Sequence, residues 1–113
     1  MRKSVSFLVL LGLAAMPALG AAESYNDVAV VDANCSKKVM ADPDSHTRAC
    51  ALKCAASGYG IVTKDKQFLK FDAEGNKKIE DALKASDKKD HLRVDVSGDV
   101  QGDTLKVSSI KLL

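Results

Sequence analysis

The stretch LRVDVSGDVQGDTLKVSSIKLL, residues 92–113, decides the predicted fold. Up to Ser97, apolar and polar side chains alternate, as in a strand with one buried face and one face in water. The polar triplet Gln101–Asp103 predicts a turn, and the alternation resumes at Leu105. It changes phase across Ser108–Ser109, so we expect a β-bulge there. The sequence therefore predicts a hairpin of two strands that is curved by its bulge.

Upstream of this hairpin, the pattern predicts three further strands and a helix. The short β-branched run Val28–Val31 favours a strand. Residues 60–63 and 67–71 flank the polar triplet 64–66 as the arms of another hairpin. Asn76 can then cap an amphipathic helix, in which apolar residues recur at helical spacing.

A polar insertion separates the first strand from the hairpin that follows it. It should contain a helix that begins at Asp44 or Ser45, where a side chain can cap it, and ends at Gly58. We therefore predict an α+β fold: a small five-stranded OB-like β-barrel, with one helix between strands 3 and 4 and a cysteine-bearing helical insertion between strands 1 and 2. The alternatives are an open α+β sheet and another small barrel, since one sequence does not reveal strand pairing.

The beginning of the chain has the zones of a secretory signal peptide: a basic start, an apolar run from Val5 to Met16, and small residues up to a cleavage site after Gly20 or Ala22. We predict residues 1–22 as this signal peptide and residues 23–113 as a single domain. The mature protein is expected to be periplasmic or secreted. It should not span a membrane, because no later apolar stretch approaches the roughly 20 residues that crossing needs.

The charge balance argues against nucleic acid as a partner. The 113-residue chain has 17 basic and 15 acidic residues, and Arg2 and Lys3 belong to the predicted signal peptide. The mature net charge is thus about zero, and the basic surface expected of a nucleic-acid binder is missing. So short a chain, with 4% aromatic residues, buries a modest core that a disulfide or a metal would help to stabilise.

Three cysteines and one histidine form the main candidate site. In the predicted helix, His46, Cys50 and Cys54 follow one another at four-residue intervals, so their side chains should share one face. Cys35 lies upstream, in a loop long enough to fold back onto that face. Three thiolates and an imidazole suit tetrahedral zinc, and soft thiolates also suit monovalent copper. We therefore predict these four residues as ligands of zinc or copper.

A disulfide is an alternative use of the same cysteines, because exported proteins commonly pair them. Cys35 could pair with Cys50 or with Cys54, whereas a bridge between the last two would be strained along a helix. All three are disulfide candidates, and one thiol would remain unpaired. A thiol-redox role would instead require a lowered pKa at Cys50 or Cys54.

The sequence contains no motif that predicts catalysis. It has no glycine-rich phosphate loop, haem attachment site, His-Glu-x-x-His helix or Gly-x-Ser-x-Gly elbow. His91 lies beside Asp90 before the last hairpin, without a third group that would complete a triad. We predict no catalytic residue and favour a function other than that of an enzyme.

Several of these segments resemble a set of small exported bacterial proteins of uncharacterised function. The shared features are Asp-x-x-Cys at Asp32–Cys35, His-x-x-x-Cys-x-x-x-Cys at His46–Cys54 followed by Gly58, and the alternating tail at Val94–Thr104. The tail is also similar to the last hairpin of periplasmic OB-fold proteins, which implies the OB-like architecture. Separately, Cys50–Cys54 resembles the Cys-x-x-x-Cys copper pair of the Sco family, whose thioredoxin-like fold does not match the predicted strand order.

These observations lead to two main hypotheses of function. In the first, the protein is an exported, non-enzymatic binding module that holds zinc or copper through Cys35, His46, Cys50 and Cys54. In the second, it is a disulfide-braced periplasmic stress or envelope interaction protein without a metal, and its partner is an envelope protein or a glycan. A thiol-redox protein is a third alternative.

Overall fold

Five strands close into a barrel in the computed structural model, which describes residues 21–113. Around the barrel the strands follow the order β1-β2-β3-β5-β4. The neighbours β3 and β5 run parallel, and all other neighbouring strands run antiparallel. The strands are β1 Ala21–Asp32, β2 Tyr59–Val62, β3 Phe68–Phe71, β4 Arg93–Gln101 and β5 Thr104–Leu112. The predicted OB-like five-stranded barrel is confirmed.

Strand β1 closes the barrel because it pairs with two neighbours. Its first part pairs with β4 and its last part, Ala29–Asp32, pairs with β2. The register shifts between Tyr25 and Val28, where Asp27 has a positive φ of 54°. This irregularity lets one strand bend from one neighbour to the other. The sequence pattern revealed only the second part, because residues 22–24 are exposed and carry no apolar alternation.

The predicted signal peptide lies outside the described residues, apart from its last two positions. Those two, Ala21 and Ala22, pair with Val100 and Asp99 of β4. Among residues 21–113, no helix is long and apolar enough to cross a membrane.

The predicted bulge in the last hairpin is present. Ser97 pairs with Ser109 and the next residue, Gly98, pairs with Val107, so Ser108 is the extra residue on β5. A Cβ atom at Gly98 would lie 2.1 Å from the carbonyl oxygen of Lys106. The close approach of the two strands at the bulge therefore requires glycine.

Helix α2, Ala73–Ala85, lies between β3 and β4, as predicted, but it begins earlier than the sequence suggested. Its N-cap is Asp72, whose carboxylate accepts a hydrogen bond from the Gly75 amide. The predicted cap, Asn76, is wrong: its side chain accepts a hydrogen bond from the backbone N–H of Tyr59 instead. Both residues are possible caps, but Asp72 Oδ1 also accepts a hydrogen bond from the Val107 amide of β5, which ties the start of the helix to the barrel. The buried side of α2 consists of Gly75, Ile79 and Leu83.

The insertion between β1 and β2 is mostly irregular. Helix α1 is limited to Arg48–Lys53, and Thr47 caps it by accepting a hydrogen bond from the Cys50 amide at 3.1 Å. The predicted start at Asp44 or Ser45 is wrong, because these residues lie in a separate 3-10 helix, Pro43–Ser45. Two further 3-10 turns, Ala33–Cys35 and Ala55–Ser57, flank the insertion.

The core lies inside the barrel, between the inward faces of the strands and the apolar face of α2. Tyr59 anchors α1 to it, because its buried hydroxyl donates a hydrogen bond of 2.7 Å to the Ala51 carbonyl. The same burial raises the pKa of the Tyr59 phenol to about 12. The principal buried members are Val28, Val30, Ile61, Leu69, Phe71, Ile79, Leu83, Leu92, Val94, Val96, Leu105 and Val107.

Candidate metal centre

The centre is built around Asp32, the last residue of β1. Its side chain is fully buried, with 0% exposure. A carboxylate in that position needs hydrogen-bond donors to offset its loss of hydration. One of its oxygens, Oδ2, accepts a hydrogen bond of 3.0 Å from the backbone N–H of Cys35, and Asp32 thereby caps the 3-10 turn that follows β1.

The second partner of Asp32 is His46. Its Nε2 lies 2.5 Å from Asp32 Oδ1, in the arrangement of an imidazole N–H that donates to a carboxylate. The histidine side chain is only 5% exposed. The sequence predicted His46 within the helix of the insertion, but His46 lies before α1. It has an extended conformation between the 3-10 helix and the cap of α1, because Thr47 provides the helix start.

Cys35 completes the group. One donor atom from each of Asp32, Cys35 and His46 can be chosen so that all three lie within 4.8 Å of one another. Cys35 is half-buried, so the group is open to solvent on the side of its sulfur. Partial burial, followed by the charges of Asp32 and Cys54, raises the pKa of the Cys35 thiol. The Cys35 thiol therefore lacks the lowered pKa of a catalytic cysteine nucleophile.

These three side chains could hold a metal ion. An oxygen, a sulfur and a nitrogen are all accepted zinc ligands, with bonds of about 2.0–2.3 Å. Around a tetrahedral ion, neighbouring donors are then separated by roughly 3.3–3.7 Å. The contact of Asp32 with His46 would lengthen by about 1 Å as the ion replaced the proton between them.

Two of the predicted ligands lie outside this group. Cys50 is exposed on α1, and Cys54 is half-buried at the end of that helix, where its sulfur accepts a hydrogen bond of 3.7 Å from the Asn34 side-chain amide. All three cysteines of the chain belong to the described residues, and all three are free thiols. None of the candidate disulfides is formed in the structure.

Asp32 was not among the ligands predicted from the sequence. The available signal was its position: a charged residue directly after a buried β-branched run and three residues before a cysteine. Such a residue ends a strand with its side chain still at the level of the core.

Several contacts hold the insertion against the barrel and thereby position His46. Arg93 of β4 donates hydrogen bonds of 2.9 and 2.8 Å to the two carboxylate oxygens of Asp44. The guanidinium hydrogen bonds lower the pKa of the Asp44 carboxyl. Arg48, at the start of α1, donates to the carbonyls of Leu83 and Lys88, next to the end of α2. These contacts on two sides of the insertion limit the movement of His46 relative to the barrel.

A surface cavity lies elsewhere on the barrel. It measures about 610 Å³ and lies between the first part of β1 and the turn that joins β2 to β3. Its lining shares no residue with the Asp32 group: Ser24, Tyr25, Asn26, Val28, Thr63, Lys64 and Asp65.

Comparison with known proteins does not identify the chain: no family model matches it, and neither the curated proteins nor the solved structures contain a significant match.

Proposed function

We propose that the protein is a small exported binding module that holds one zinc ion through the Asp32 carboxylate, the Cys35 thiolate and the His46 imidazole. The observation that carries this proposal is the convergence of the three donor atoms within 4.8 Å, with two of the three residues buried. Burying a carboxylate with an imidazole costs several kcal/mol in hydration. Apolar residues would pack at this position more favourably. Metal binding would explain why a polar pair is buried there instead.

The donor set favours zinc over monovalent copper. Monovalent copper prefers thiolate and thioether ligands, whereas zinc accepts sulfur, nitrogen and carboxylate oxygen together. Cys50 and Cys54, which would have made the set softer, lie outside the group of three. Copper therefore becomes the competing ion in the test, and zinc the expected one.

Three protein ligands leave the fourth tetrahedral position open. Solvent or an external donor would reach the ion from the side of the half-buried Cys35. This arrangement suits a module that takes up an ion from one donor and gives it to another. The barrel serves as the rigid support, and the predicted signal peptide would bring the module to the periplasm or the exterior.

The test is a zinc titration of the metal-free, reduced protein in competition with a chromophoric chelator, with native mass spectrometry to count bound ions. We expect one zinc per chain. The Cys35→Ser variant should lose at least about 100-fold in affinity, because even the indirect partners of zinc ligands typically account for 10–100-fold. Cobalt in place of zinc should give a thiolate charge-transfer band, which the same variant abolishes.

Cys50→Ser is the matched control, since it makes the same substitution at an exposed cysteine outside the group. It should bind zinc like the unchanged protein. An equal loss in both variants would refute the proposed ligand set and favour the helix cysteines. Failure to bind either zinc or copper, together with an intact disulfide in the exported protein, would refute metal binding and favour the disulfide-braced interaction protein.

A further inference from the structure

The segments that carry Cys35 and Cys54 are bonded to each other. The backbone N–H of Asn34 donates to the Ser57 hydroxyl at 3.1 Å, and its side-chain amide donates to the Cys54 sulfur at 3.7 Å. One residue earlier, the Ala33 N–H donates to the carbonyl of residue 58 at 2.8 Å. These bonds hold the turn after β1 against the turn after α1, so the two cysteines lie on adjacent segments.

Cys50 is placed differently, although it is also one helical turn from Cys54. It lies in the first turn of α1 and is exposed, and its amide is engaged by the capping hydroxyl of Thr47. No hydrogen bond joins its side chain to the turn that carries Cys35, within the described part of the chain. Among the three thiols, Cys54 is the one that the backbone bonds bring towards Cys35.

We infer that Cys35 and Cys54 are a reversible redox pair: a disulfide between them removes Cys35 from the metal group, so that the centre holds its ion only when the pair is reduced. The metal half of this inference rests on the proposed function, whereas the covalent half stands on the hydrogen bonds alone. Cys35 ends the 3-10 turn Ala33–Cys35, and Cys54 lies at the junction between α1 and the 3-10 turn Ala55–Ser57. Short 3-10 turns have poorer hydrogen-bond geometry than α-helices and often mark hinges. They can therefore bring the sulfurs to bonding distance without a change in the barrel.

The chemistry requires an external disulfide as the oxidant, such as glutathione disulfide or a dithiol oxidase of the export compartment. The thiolate of one cysteine attacks that disulfide and releases one thiol, and the second thiolate then attacks the mixed disulfide. The bond formed is Cys35 Sγ–Cys54 Sγ, and the bond broken is that of the oxidant. The protein loses two electrons and two protons, which leave on the two released thiols. A bound zinc ion shields Cys35, so release and oxidation are coupled.

The experiment uses the full chain, metal-free and zinc-loaded, incubated with glutathione disulfide. Free thiols are then alkylated, and the disulfide is located by non-reducing peptide mapping. We expect a Cys35–Cys54 bridge in the metal-free protein, a Cys50 that is alkylated, and slower oxidation of the zinc-loaded protein by at least 10-fold. Released zinc should appear in parallel with the bridge, and a reductant should restore binding.

Two variants make the result decisive. Cys50→Ser should oxidise like the unchanged protein, whereas Cys54→Ser should remain able to bind zinc and should keep it under oxidant; circular dichroism checks that both are folded. A bridge between Cys35 and Cys50, or three free thiols after prolonged oxidation, would overturn the inference even if zinc binds. A Cys35–Cys54 bridge in a protein that never binds zinc would support the redox pair and refute the proposed function instead.

Discussion

Replacing Asp32 with asparagine should destabilise the protein strongly, even without a metal. The carboxylate uses both of its oxygens: Oδ1 contacts His46 Nε2 at 2.5 Å, and Oδ2 accepts from the Cys35 N–H at 3.0 Å. An amide has the same shape but only one acceptor. With the Nε2–H tautomer of His46 retained, one of the two donors loses its partner and faces an N–H₂ group.

The magnitude follows from these two contacts. A buried donor left without a partner costs about 1–3 kcal/mol. The remaining hydrogen bond loses its charge assistance, which is roughly half its strength. The sum is about 2–4 kcal/mol, and for a domain of this size it should lower the Tm by at least about 8 °C. Unfolding by urea, followed by far-UV circular dichroism in the presence of a chelator, measures the change in the free energy of unfolding.

Asp72→Asn provides the matched control. Asp72 is also an aspartate that ends a strand segment and caps the helix after it, but a single oxygen, Oδ1, accepts from both Gly75 and Val107. An asparagine can keep both bonds with its one acceptor. Both lose charge assistance, but no donor is left without a partner, so the cost should stay below that of Asp32→Asn. If Asp32→Asn costs no more than Asp72→Asn, Asp32 does not have the two-sided role derived from the structure.

Two other features of the fold give independent predictions. The Arg93 guanidinium lowers the pKa of the Asp44 carboxyl, so the pair stabilises the folded state above about pH 4, the pKa of an unfolded aspartate, and loses that effect as the pH falls through the lower folded pKa. Asp44→Asn should therefore be less stable at neutral pH and lose less stability between about pH 5 and pH 2; urea midpoints across this range that run parallel to those of the unchanged protein would contradict this. At the bulge, Gly98→Ala places a Cβ atom 2.1 Å from a backbone carbonyl oxygen of β5, and overpacking against backbone should cost at least about 1–3 kcal/mol in urea unfolding. An unchanged midpoint would mean that the two strands separate there without strain.

Much of the barrel could be predicted because its strands are visible locally. The alternation around Val94 and the phase change at Ser108 follow from which face of a strand must be apolar, and the structure pairs the strands accordingly. Helix boundaries were less accessible. Near Asp72 and Thr47 several residues could accept the first helical N–H groups, so residue type alone did not locate the caps.

The candidate centre, like the fold, was predicted only in part from local sequence patterns. Cysteine and histidine were recognisable as donors by residue type, which is why Cys35 and His46 were among the predicted ligands. The face they would share was predicted from helical spacing, and that assumption fails for His46 because α1 begins only at Arg48. Residues four positions apart share a face only where the chain is helical.

By itself, the sequence determined the number of strands and their order along the chain, the helix between the third and fourth strands, and the soft donors in the insertion. These features depend on residue type and on local periodicity. Only the tertiary structure decided that Asp32 joins Cys35 and His46, and that Cys54 rather than Cys50 lies towards Cys35. These groupings result from the closure of β1 against β2 and from the hydrogen bonds that fold the insertion back onto the barrel. The contacts of Asp32 with His46 and of Asn34 with Cys54 join positions 14 and 20 residues apart, so local periodicity did not predict them.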